Sequence, residues 1–356
     1  MAKHTVVAMP GDGIGNQVLP EAVRVLKAVG FDAEYIHADI GWDCWCREGN
    51  ALPQRTVDLL AKHQLGLFGA ITSKPKKQAE AELTPDLRGK GYSYFSPIVT
   101  MRQRFNLDTC IRPCISFPGN PLNFIRKRVD GGFDEPFVNV VVFRQNTEGL
   151  YAGVGGFFKK GTADEIATQE DVNTRKGVER IIRYAFDLAR RQNRRRVCMS
   201  DKSNALAYGH DLWQRVFKEI RNEYPEIEAS HMYIDNLLMQ MVRSPDQFEV
   251  IVTCNLFGDL ASDVGAGLIG GLGLAPSGNI HPGRVSLFEP VHGSAPAIAG
   301  KNIANPMGAV LAAAMMFENF GWTAESQAIE FAVRLAIEEG KTAEIVLTID
   351  DASKTP

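Results

Sequence analysis

The chain has 356 residues, of which 45% are hydrophobic and 23% are charged, and its formal net charge is -3. This composition is typical of a globular protein with about two domains, and it excludes a disordered or fibrous chain. The net charge argues against nucleic acid as the main partner, because neutralising phosphate groups requires an excess of Lys and Arg on one face.

The chain opens with a pattern of strand, glycine-rich turn and helix. Residues 5–9 are predicted as a short buried strand, PGDGIG as a turn, and residues 18–28 as a helix. The dinucleotide-binding fingerprint G-x-G-x-x-G fails here, because Asn16 or Val18 stands where the third glycine is needed. The motif alone therefore favours a tight connection between a strand and a helix.

Apolar strands and amphipathic helices then alternate along the chain. Strand-like runs cover residues 65–70, 138–143, 197–200 and 249–254. A helical pattern is formed by Val178, Ile181, Ile182, Ala185 and Leu188. This alternation predicts helices packed on a largely parallel sheet.

The remaining segments are a glycine-rich stretch and a helical end. Residues 151–173 contain a Phe pair and β-branched residues, which fits either an arm or hairpin that pairs with another subunit or an ordinary surface loop. Residues 306–320 and 323–339 are predicted as helices. No internal repeat interrupts this pattern.

Cysteine spacing and hydropathy indicate in which cellular compartment the chain is expected. Cys44 and Cys46 are too close for a zinc pattern, and Cys110 and Cys114 lack a second pair, so we expect reduced thiols. The first residues lack the apolar region of a secretory signal, and no stretch has the length of a membrane span. We therefore expect a cytoplasmic protein with no membrane partner.

Five arginines crowd the end of the helix predicted near residue 188. There they complement the negative helix terminus, and we expect them to remain in solvent. They are Arg190, Arg191, Arg194, Arg195 and Arg196.

Two aspartates follow the strand predicted at residues 249–254. Asp259 and Asp263 are four residues apart, so a helix would place both carboxylates on one face. Such a pair suits a hard divalent cation such as Mg2+ or Mn2+, although a solvated helix face is an equally good interpretation of the pair alone.

Three arginines and two further polar residues add possible chemistry. Arg102, Arg112 and Arg144 would bind a polycarboxylate if the fold gathers them, because guanidinium groups bind carboxylates in a bidentate manner. Lys202 stands at the exit of a predicted strand, and a lysine near a tyrosine such as Tyr151 and a metal can accept a proton from a hydroxyl group.

Taken together, these motifs resemble the metal-dependent β-decarboxylating dehydrogenases that oxidise isocitrate, 3-isopropylmalate, homoisocitrate or tartrate. The resemblance extends over residues 5–348. It includes PGDGIG, R-x9-R, FRQNTEGLYAG, DKSN, an ordered triplet of aspartates and EPVHGSAPAIAGKNIANP. The family implies an α/β fold with two domains and a mixed or parallel sheet, distinct from a standard Rossmann fold. Residues 1–107 and 270–356 would form the large cofactor-binding domain, and residues 108–269 a small domain with a dimer arm at about 152–172.

The resemblance also implies roles for individual residues. The substrate would be held by Arg102, Arg112 and Arg144, and the metal by Asp235, Asp259 and Asp263. Lys202 would remove the hydroxyl proton and Tyr151 would return a proton late in the reaction. In the family, the equivalents of Asp235 and Lys202 enter from the partner subunit, so we expect a homodimer with shared active sites.

The cofactor would bind to loops other than the first glycine turn. The positions that match the family are Thr72, His292, Gly293, Ser294, Ala295, Ile298 and Asn305. NAD enzymes of the family have Asp after HGSAP and NADP enzymes have a basic residue. This chain has Ala297 there, and the stretch EIVLTIDD supplies no positive charge, so NAD is favoured.

Substrate choice is expected to depend on the segment before Arg102. Ser96 matches the serine of isocitrate enzymes, whereas Ile98 replaces their asparagine and SPIV is similar to homoisocitrate enzymes. Isocitrate is the first expectation, with homoisocitrate, 3-isopropylmalate or a phosphonate-bearing malate analogue as alternatives. Asp108 and Gln145 depart from the family pattern, and we expect them to retune the pocket.

Two other classes of protein would explain part of the sequence. A non-catalytic regulatory subunit would lack catalytic or metal positions, whereas all of them are present here. A nucleotide-binding α/β protein without redox activity would explain the glycine loops, but it would leave the arginines and the aspartate triplet without a role.

Overall fold

The computed structural model describes residues 4–281 and 284–340, which divide into two compact units. Unit 1 comprises the described residues of Met1–Leu107, Ser116–Phe124 and Ile269–Pro356, and unit 2 comprises Asp108–Ile115 and Ile125–Leu268. Residues 116–124 thus cluster with unit 1. The stretch EIVLTIDD, residues 344–351, lies outside the described residues.

Unit 1 contains seven of the described helices and five strands of a sheet. The strands are β1 (His4–Gly11), β2 (Ala33–His37), β3 (Leu65–Ala70), β13 (Pro276–Ile280) and β14 (Ser286–Pro290). The helices are α1 (Gly15–Ala28), α2 (Trp42–Glu48), α3 (Gln54–His63), α4 (Lys76–Ala81), α5 (Pro97–Arg104), α10 (Met307–Asn319) and α11 (Thr323–Glu338).

The strands of unit 1 are ordered β13-β14-β3-β1-β2. All neighbours are parallel except β13 and β14, which are antiparallel. Helix α1 packs on β1 and β3 because its apolar residues recur on one face, where Val18, Ala22 and Leu26 are fully covered. The first strand and helix therefore match the predicted pattern.

Unit 2 contains four α-helices and nine strands, five of which pair in one sheet. These five are β4 (Thr109–Ile115), β7 (Asn139–Gln145), β10 (Arg196–Asp201), β11 (Glu228–Tyr233) and β12 (Val250–Thr253). The helices are α6 (Arg175–Arg191), α7 (Gly209–Ile220), α8 (Ile234–Arg243) and α9 (Asn255–Leu268). Two exposed hairpins are formed by β5 (Arg126–Lys127) with β6 (Phe133–Asp134) and by β8 (Gly155–Phe158) with β9 (Ile166–Gln169).

The strands of unit 2 are ordered β11-β10-β12-β7-β4, and only β4 is antiparallel to its neighbour. Helices α6 and α7 join alternate residues of β7, β10 and β12 in one apolar core. Helix α9 packs on the opposite face, where Gly258 touches Arg144 and Gly265 touches Cys114. The α/β class with largely parallel strands is thus confirmed.

The segment predicted as an arm or a loop is a hairpin. Strands β8 and β9 pair from Gly155 opposite Gln169 to Phe158 opposite Ile166, and every residue of both strands is exposed. All six cysteines are free thiols, as predicted. None of the helices in the described part of the chain combines the length and hydrophobicity needed to cross a membrane.

Candidate active site

Two nearly buried arginines of unit 2 converge on Asp259. Arg112 in β4 and Arg144 in β7 lie on neighbouring antiparallel strands, and they are 6% and 2% exposed. Arg112 donates to Asp259 Oδ1 at 3.1 Å, and Arg144 forms a short ion pair with the same oxygen. Asn255 Oδ1 accepts from Arg144 Nε and Nη2 at 3.0 and 2.8 Å. These contacts therefore restrict the rotamers of both arginine side chains.

Asp263 follows Asp259 by one turn of α9. It lies 3.8 Å from Arg112 Nη1, and its side chain is 57% exposed. Partial burial and the charge of Asp259 raise the pKa of Asp263, and the two arginines oppose that rise. The two arginines thus neutralise the charge of Asp263 less completely than that of Asp259.

Tyr151 joins this cluster from a 3-10 helix after β7. Its hydroxyl donates to Asp259 Oδ2 at 3.3 Å, and the Arg144 guanidinium lies 5.4 Å from the centre of its ring. The left-handed backbone of Gly149, with φ of 73°, precedes this 3-10 helix. The fold of unit 2 therefore brings Arg112, Arg144, Tyr151, Asp259 and Asp263 together.

Lys202 and Asp235 form a separate pair at the ends of the neighbouring strands β10 and β11. Lys202 Nζ lies 2.5 Å from Asp235 Oδ1, and this ammonium group lowers the pKa of Asp235. Within residues 4–281 and 284–340, no group of three or more His, Cys, Asp or Glu side chains is placed to hold a metal ion. In a single chain, Asp235 therefore does not join Asp259 and Asp263.

A buried carboxylate next to Lys202 was not predicted. Asp201, at the end of β10, accepts hydrogen bonds from Ser203, from Gln214 and from His231, whose Nε2 lies 2.9 Å away. Although burial acts in the opposite direction, these bonds lower the pKa of Asp201. Asp201 is the first residue of the DKSN motif, but only the packing of β10 against β11 and α7 brings His231 and Gln214 to it.

In unit 1, the predicted cofactor residues Thr72 and Ser294 touch each other. Their hydroxyl oxygens are 2.6 Å apart, and Tyr94 donates to the Thr72 carbonyl at 2.9 Å. Thr72 N also donates to Asp12 at 2.8 Å. The exit of β3 and the HGSAP loop are thus joined through short polar contacts.

Asp12 is a second buried carboxylate that the sequence did not single out. It is 3% exposed, and its carboxylate accepts from the N–H groups of Trp42, Asp43 and Thr72. Burial raises the pKa of Asp12, while these three hydrogen bonds oppose the rise. Asp12 lies in PGDGIG, so the motif indicated its position but not its role.

The glycines of PGDGIG serve close packing within unit 1. A side chain at Gly13 would come within 2.2 Å of the Ser294 carbonyl oxygen, and one at Gly11 within 2.0 Å of the Ala70 oxygen. The N–H groups of Asp12 and Ile14 are used by these same two carbonyls. This observation agrees with the predicted tight turn.

The other cofactor candidates lie in the loop between β14 and α10. His292 Nδ1 donates to the Gly293 carbonyl, and burial lowers the pKa of His292. Its Nε2 is buried and has no hydrogen-bond partner among the described residues. Ala295 has a positive φ of 39°, Ile298 is buried, and Asn305 accepts from Met307 N at 3.0 Å.

Two predicted substrate residues belong to helix α5 of unit 1. Arg102 is 6% exposed and donates to Asn279 at 2.9 Å. Glu289 lies 3.5 Å from the same guanidinium. Ser96 occupies the N-cap position, yet its hydroxyl makes no capping hydrogen bond. The meeting of Arg102 with the other two arginines stays a prediction.

Of the five arginines predicted to lie in solvent at the end of α6, Arg190, Arg191 and Arg195 are exposed as predicted, whereas Arg194 and Arg196 are half-buried. Arg190 pairs with Glu226 at 2.6 Å, and Arg196 with Glu249 at 3.2 Å. Arg194 donates to the carbonyls of Asn139 and Glu249. These three side chains find partners within unit 2, because the chain supplies acceptors next to the helix end.

The two departures from the family pattern have local structural partners. Asp108 is 3% exposed and forms a short ion pair with Arg180 of α6. Gln145 accepts from the N–H groups of Thr147 and Glu148 at 3.0 and 2.7 Å. Both side chains thus hold the ends of β4 and β7, and their effect on the pocket stays a prediction.

Known proteins match nearly the whole chain, and they belong to the family that the sequence motifs resemble. Residues 5–355 match the family model described as isocitrate/isopropylmalate dehydrogenase. The homoisocitrate dehydrogenase of Methanocaldococcus jannaschii is 42% identical over 333 residues, which cover 93% of this chain and 90% of that protein. The 3-isopropylmalate dehydrogenase of Frankia casuarinae is 38% identical over 327 residues, which cover 91% and 89%.

A solved structure is similar as well. The isocitrate dehydrogenase from Methylococcus capsulatus matches with a TM-score of 0.84 and 39% identity, covering 99% of this chain and all of that one. Family members generally use NAD(P) with Mg2+ or Mn2+ and act as homodimers on small carboxylates. The chain belongs to the isocitrate/isopropylmalate dehydrogenase family, whose members are metal-dependent decarboxylating dehydrogenases of 3-carboxy-2-hydroxy acids.

Proposed function

We propose that the chain is an NAD-dependent enzyme that oxidises and decarboxylates a 3-substituted malate, with isocitrate as the first candidate. The observation that carries this proposal is the cluster around Asp259, where two nearly buried guanidinium groups, a phenol and a second carboxylate meet. Guanidinium groups of this kind bind carboxylates, and paired carboxylates bind hard cations. Both are needed for a metal-assisted reaction of a hydroxy acid.

The donor set fits a divalent cation. Asp259 and Asp263 offer oxygen ligands from one face of α9. Burial and then the charge of Asp259 raise the pKa of Asp263, and a bound cation would favour its ionised form. Asp235 of the partner subunit would supply a third carboxylate. When bound, Mg2+ or Mn2+ acidifies the substrate hydroxyl and stabilises the charge left by the loss of CO2.

The side chains of the protein supply binding and proton transfer. Arg102, Arg112 and Arg144 hold the carboxylates of the malate moiety. Lys202 of the partner subunit takes the proton of the C2 hydroxyl, and a bound nicotinamide would serve as the acceptor of the C2 hydride. The bond between C3 and its carboxylate then breaks with release of CO2, and the Tyr151 hydroxyl gives a proton to C3. That hydroxyl already donates to Asp259, which supports its role as a donor.

The cofactor proposal rests on the loops of unit 1. Thr72 and Ser294 are fixed by their mutual contact, and the buried Nε2 of His292 is an acceptor without a partner among the described residues, which fits a donor from a bound ligand. NAD is favoured over NADP because Ala297 and Ile298 offer no positive charge to a 2'-phosphate. Asn305, Gly293 and Ala295 complete the proposed loop.

The proposal of isocitrate rests on Ser96. Its hydroxyl is half-buried and unused by the helix that it precedes, so it is available to a carboxylate at the N-terminus of α5. Ile98 packs against the apolar core of unit 1, which explains its side chain without the substrate. Phe95 is 66% exposed and borders the same segment.

The proposed dimer rests on exposed apolar surface in unit 2. Phe157, Phe158 and Ile166 of the β8–β9 hairpin are each more than half exposed, and Met239 and Leu260 are nearly so. Such residues favour an interface between subunits. The separation of Lys202 and Asp235 from the Asp259 cluster in one chain also supports active sites that two subunits share.

The test is an assay of NADH formation by the purified full-length protein with Mn2+. The panel contains isocitrate, homoisocitrate, 3-isopropylmalate, tartrate, malate and a phosphonomethyl malate analogue, each also tried with NADP. We expect the strongest turnover with isocitrate and NAD, and removal of the metal with EDTA should abolish it. A stronger response to another acid would correct the substrate. No turnover with any acid and either cofactor would contradict the enzymatic proposal and favour a regulatory subunit.

A further inference from the structure

His210 is a buried histidine next to Lys202. It lies at the start of α7 and is 1% exposed, and its Nδ1 is 2.8 Å from the main-chain nitrogen of Lys202. Its ring meets the ring of Phe257 edge-on, with 5.5 Å between the centres. The histidine thus links the start of a helix to the strand exit that carries the proposed proton acceptor.

The contact with Lys202 fixes which nitrogen of the imidazole carries a proton. A main-chain N–H can only donate, so Nδ1 accepts and is unprotonated. The neutral ring then has its proton on Nε2, which is buried and has no hydrogen-bond partner among the described residues. Asp171 Oδ2 lies 3.6 Å from Nε2, which is too far for a hydrogen bond but close enough to attract the N–H dipole.

The surroundings of the ring are built for this arrangement. Asn173 donates to Asp171 Oδ2 at 2.9 Å and holds the carboxylate in place. Gly209 leaves room for both, because a side chain there would come within 2.6 Å of Asn173 Nδ2 and 3.1 Å of Asp171 Oδ2. The imidazole is therefore confined on the side opposite Lys202.

The main chain of Lys202 is held at both of its polar groups. Its N–H donates to His210, and its carbonyl accepts from the N–H groups of Ala205 and Leu206 at 2.9 and 2.8 Å. Leu206 in turn accepts from His210 N at 3.2 Å. These hydrogen bonds fix the main chain of Lys202, so only its side chain can rotate. The ammonium group of that side chain forms an ion pair with Asp235.

We infer that His210 is a positioning residue for Lys202, holding the main chain of the lysine through Nδ1 so that the ammonium group is presented from a fixed point. The inference rests on the proposed function, because it requires Lys202 to accept the substrate proton. His210 touches neither substrate nor cofactor in this arrangement. A displacement of the lysine by about 1 Å would lower the rate by up to about 100-fold, because proton transfer depends steeply on geometry.

The experiment compares two substitutions at His210 in the full-length protein, with Mn2+, NAD and the panel acid that is turned over fastest. His210→Asn keeps an acceptor near the position of Nδ1, whereas His210→Leu has a similar size and no acceptor. We expect His210→Leu to lower kcat by about 10- to 100-fold with the KM for NAD changed less than about twofold, and His210→Asn to recover most of the loss. If His210→Leu does not fold, His210→Gln serves as the acceptor-free variant, because its amide lies at the position of Nε2 and leaves the position of Nδ1 without an acceptor.

Lys202→Met is measured in parallel to separate this inference from the proposed function. If Lys202→Met retains the kcat of the unmodified protein, the proposed role of Lys202 is wrong and the role of His210 falls with it. If Lys202→Met is inactive but the acceptor-free variant keeps full kcat, only the inference is overturned. The same holds if the acceptor-free variant and His210→Asn lose kcat equally, since a purely structural histidine would give that result.

Discussion

At the scale of single residues, Asp12 shows how a carboxylate can serve as a cap for a helix to which it does not belong. Helix α2 begins after Gly41, which has no side chain to accept from the first N–H groups. Asp12 supplies the missing acceptor: its carboxylate accepts from Trp42 N at 2.7 Å and from Asp43 N at 3.1 Å. A side chain at position 41 would come within 2.5 Å of this carboxylate. The Asp12 carboxylate can therefore cap α2 only because residue 41 is a glycine.

Replacement of Asp12 by asparagine should destabilise unit 1. The amide nitrogen of the new side chain would face N–H donors where the carboxylate has an acceptor, and at least one buried N–H would lose its partner. We expect the free energy of unfolding to fall by about 1–3 kcal/mol, which is measured as a lower midpoint of thermal unfolding.

Asp43→Asn is the matched control, because Asp43 carries the same group on an exposed position of the first turn of α2. It should cost no more than about 0.5 kcal/mol. Equal midpoints for Asp12→Asn and Asp43→Asn would show that the three hydrogen bonds to Asp12 contribute little.

At the scale of elements, the contact between α9 and β7 sets the geometry of the arginine cluster. Gly258 allows the helix to approach the strand so closely that an added Cβ would lie 2.5 Å from Arg144 Cβ and 2.7 Å from its Cγ. The same helix carries Asp259 and Asn255, which bind the Arg144 guanidinium. The distance between helix and strand therefore determines where the guanidinium group and the carboxylates lie.

Gly258→Ala should force α9 away from β7 and disturb Arg144. We expect a loss of stability of about 1–3 kcal/mol and a higher KM for the hydroxy acid, with the KM for NAD little changed. Thermal unfolding and steady-state kinetics measure the two effects.

Gly267 provides the control within the same helix. A side chain there would meet no atom within 4 Å in this chain, so Gly267→Ala should be neutral or stabilising by up to about 1 kcal/mol. If Gly258→Ala behaves like Gly267→Ala in both measurements, the close approach of helix and strand does not position Arg144.

At the scale of the whole molecule, one chain divides the proposed catalytic groups between two clusters. Arg112, Arg144 and Tyr151 surround Asp259, whereas Lys202 pairs with Asp235. A homodimer places two copies of each cluster in one particle. The proposed active site would then combine the first cluster of one subunit with the second cluster of the other.

Mixed dimers of two inactive variants test this arrangement. Lys202→Met and Asp259→Asn are each expected to be inactive alone, because one lacks the proton acceptor and the other a metal ligand. Coexpressed with different tags, they would form mixed dimers in which one of the two sites receives an intact Lys202 and an intact Asp259. We expect about a quarter of the normal activity in a random mixture.

The purified mixed dimer is the decisive sample, with each variant purified separately as its control. If each site were built from a single chain, every site in the mixed dimer would carry one of the two substitutions. An inactive mixed dimer would therefore contradict the shared site, while activity confined to the mixed dimer would support it.

Much of the fold could be predicted because local patterns and chain order agree. Residues 65–70 were predicted as a strand and form β3, and the helical pattern through Val178 and Ala185 is the buried face of α6. The segment 151–173 was ambiguous, since glycine and aromatic residues suit a loop as well as a hairpin. Pairing of β8 with β9 decides it, and this pairing is a contact between residues about ten positions apart.

The sequence by itself determined the α/β class, the family and the candidate residues, because motifs and periodicity are properties of neighbouring positions. Only the tertiary structure decided which of these residues meet. It joined Arg112 and Arg144 to Asp259, which lies more than a hundred positions away, and it revealed Asp12 and His210 as partners of Thr72 and Lys202. Such contacts depend on how strands and helices pack, and a hydrogen bond that this packing creates leaves no spacing in the sequence that would predict it.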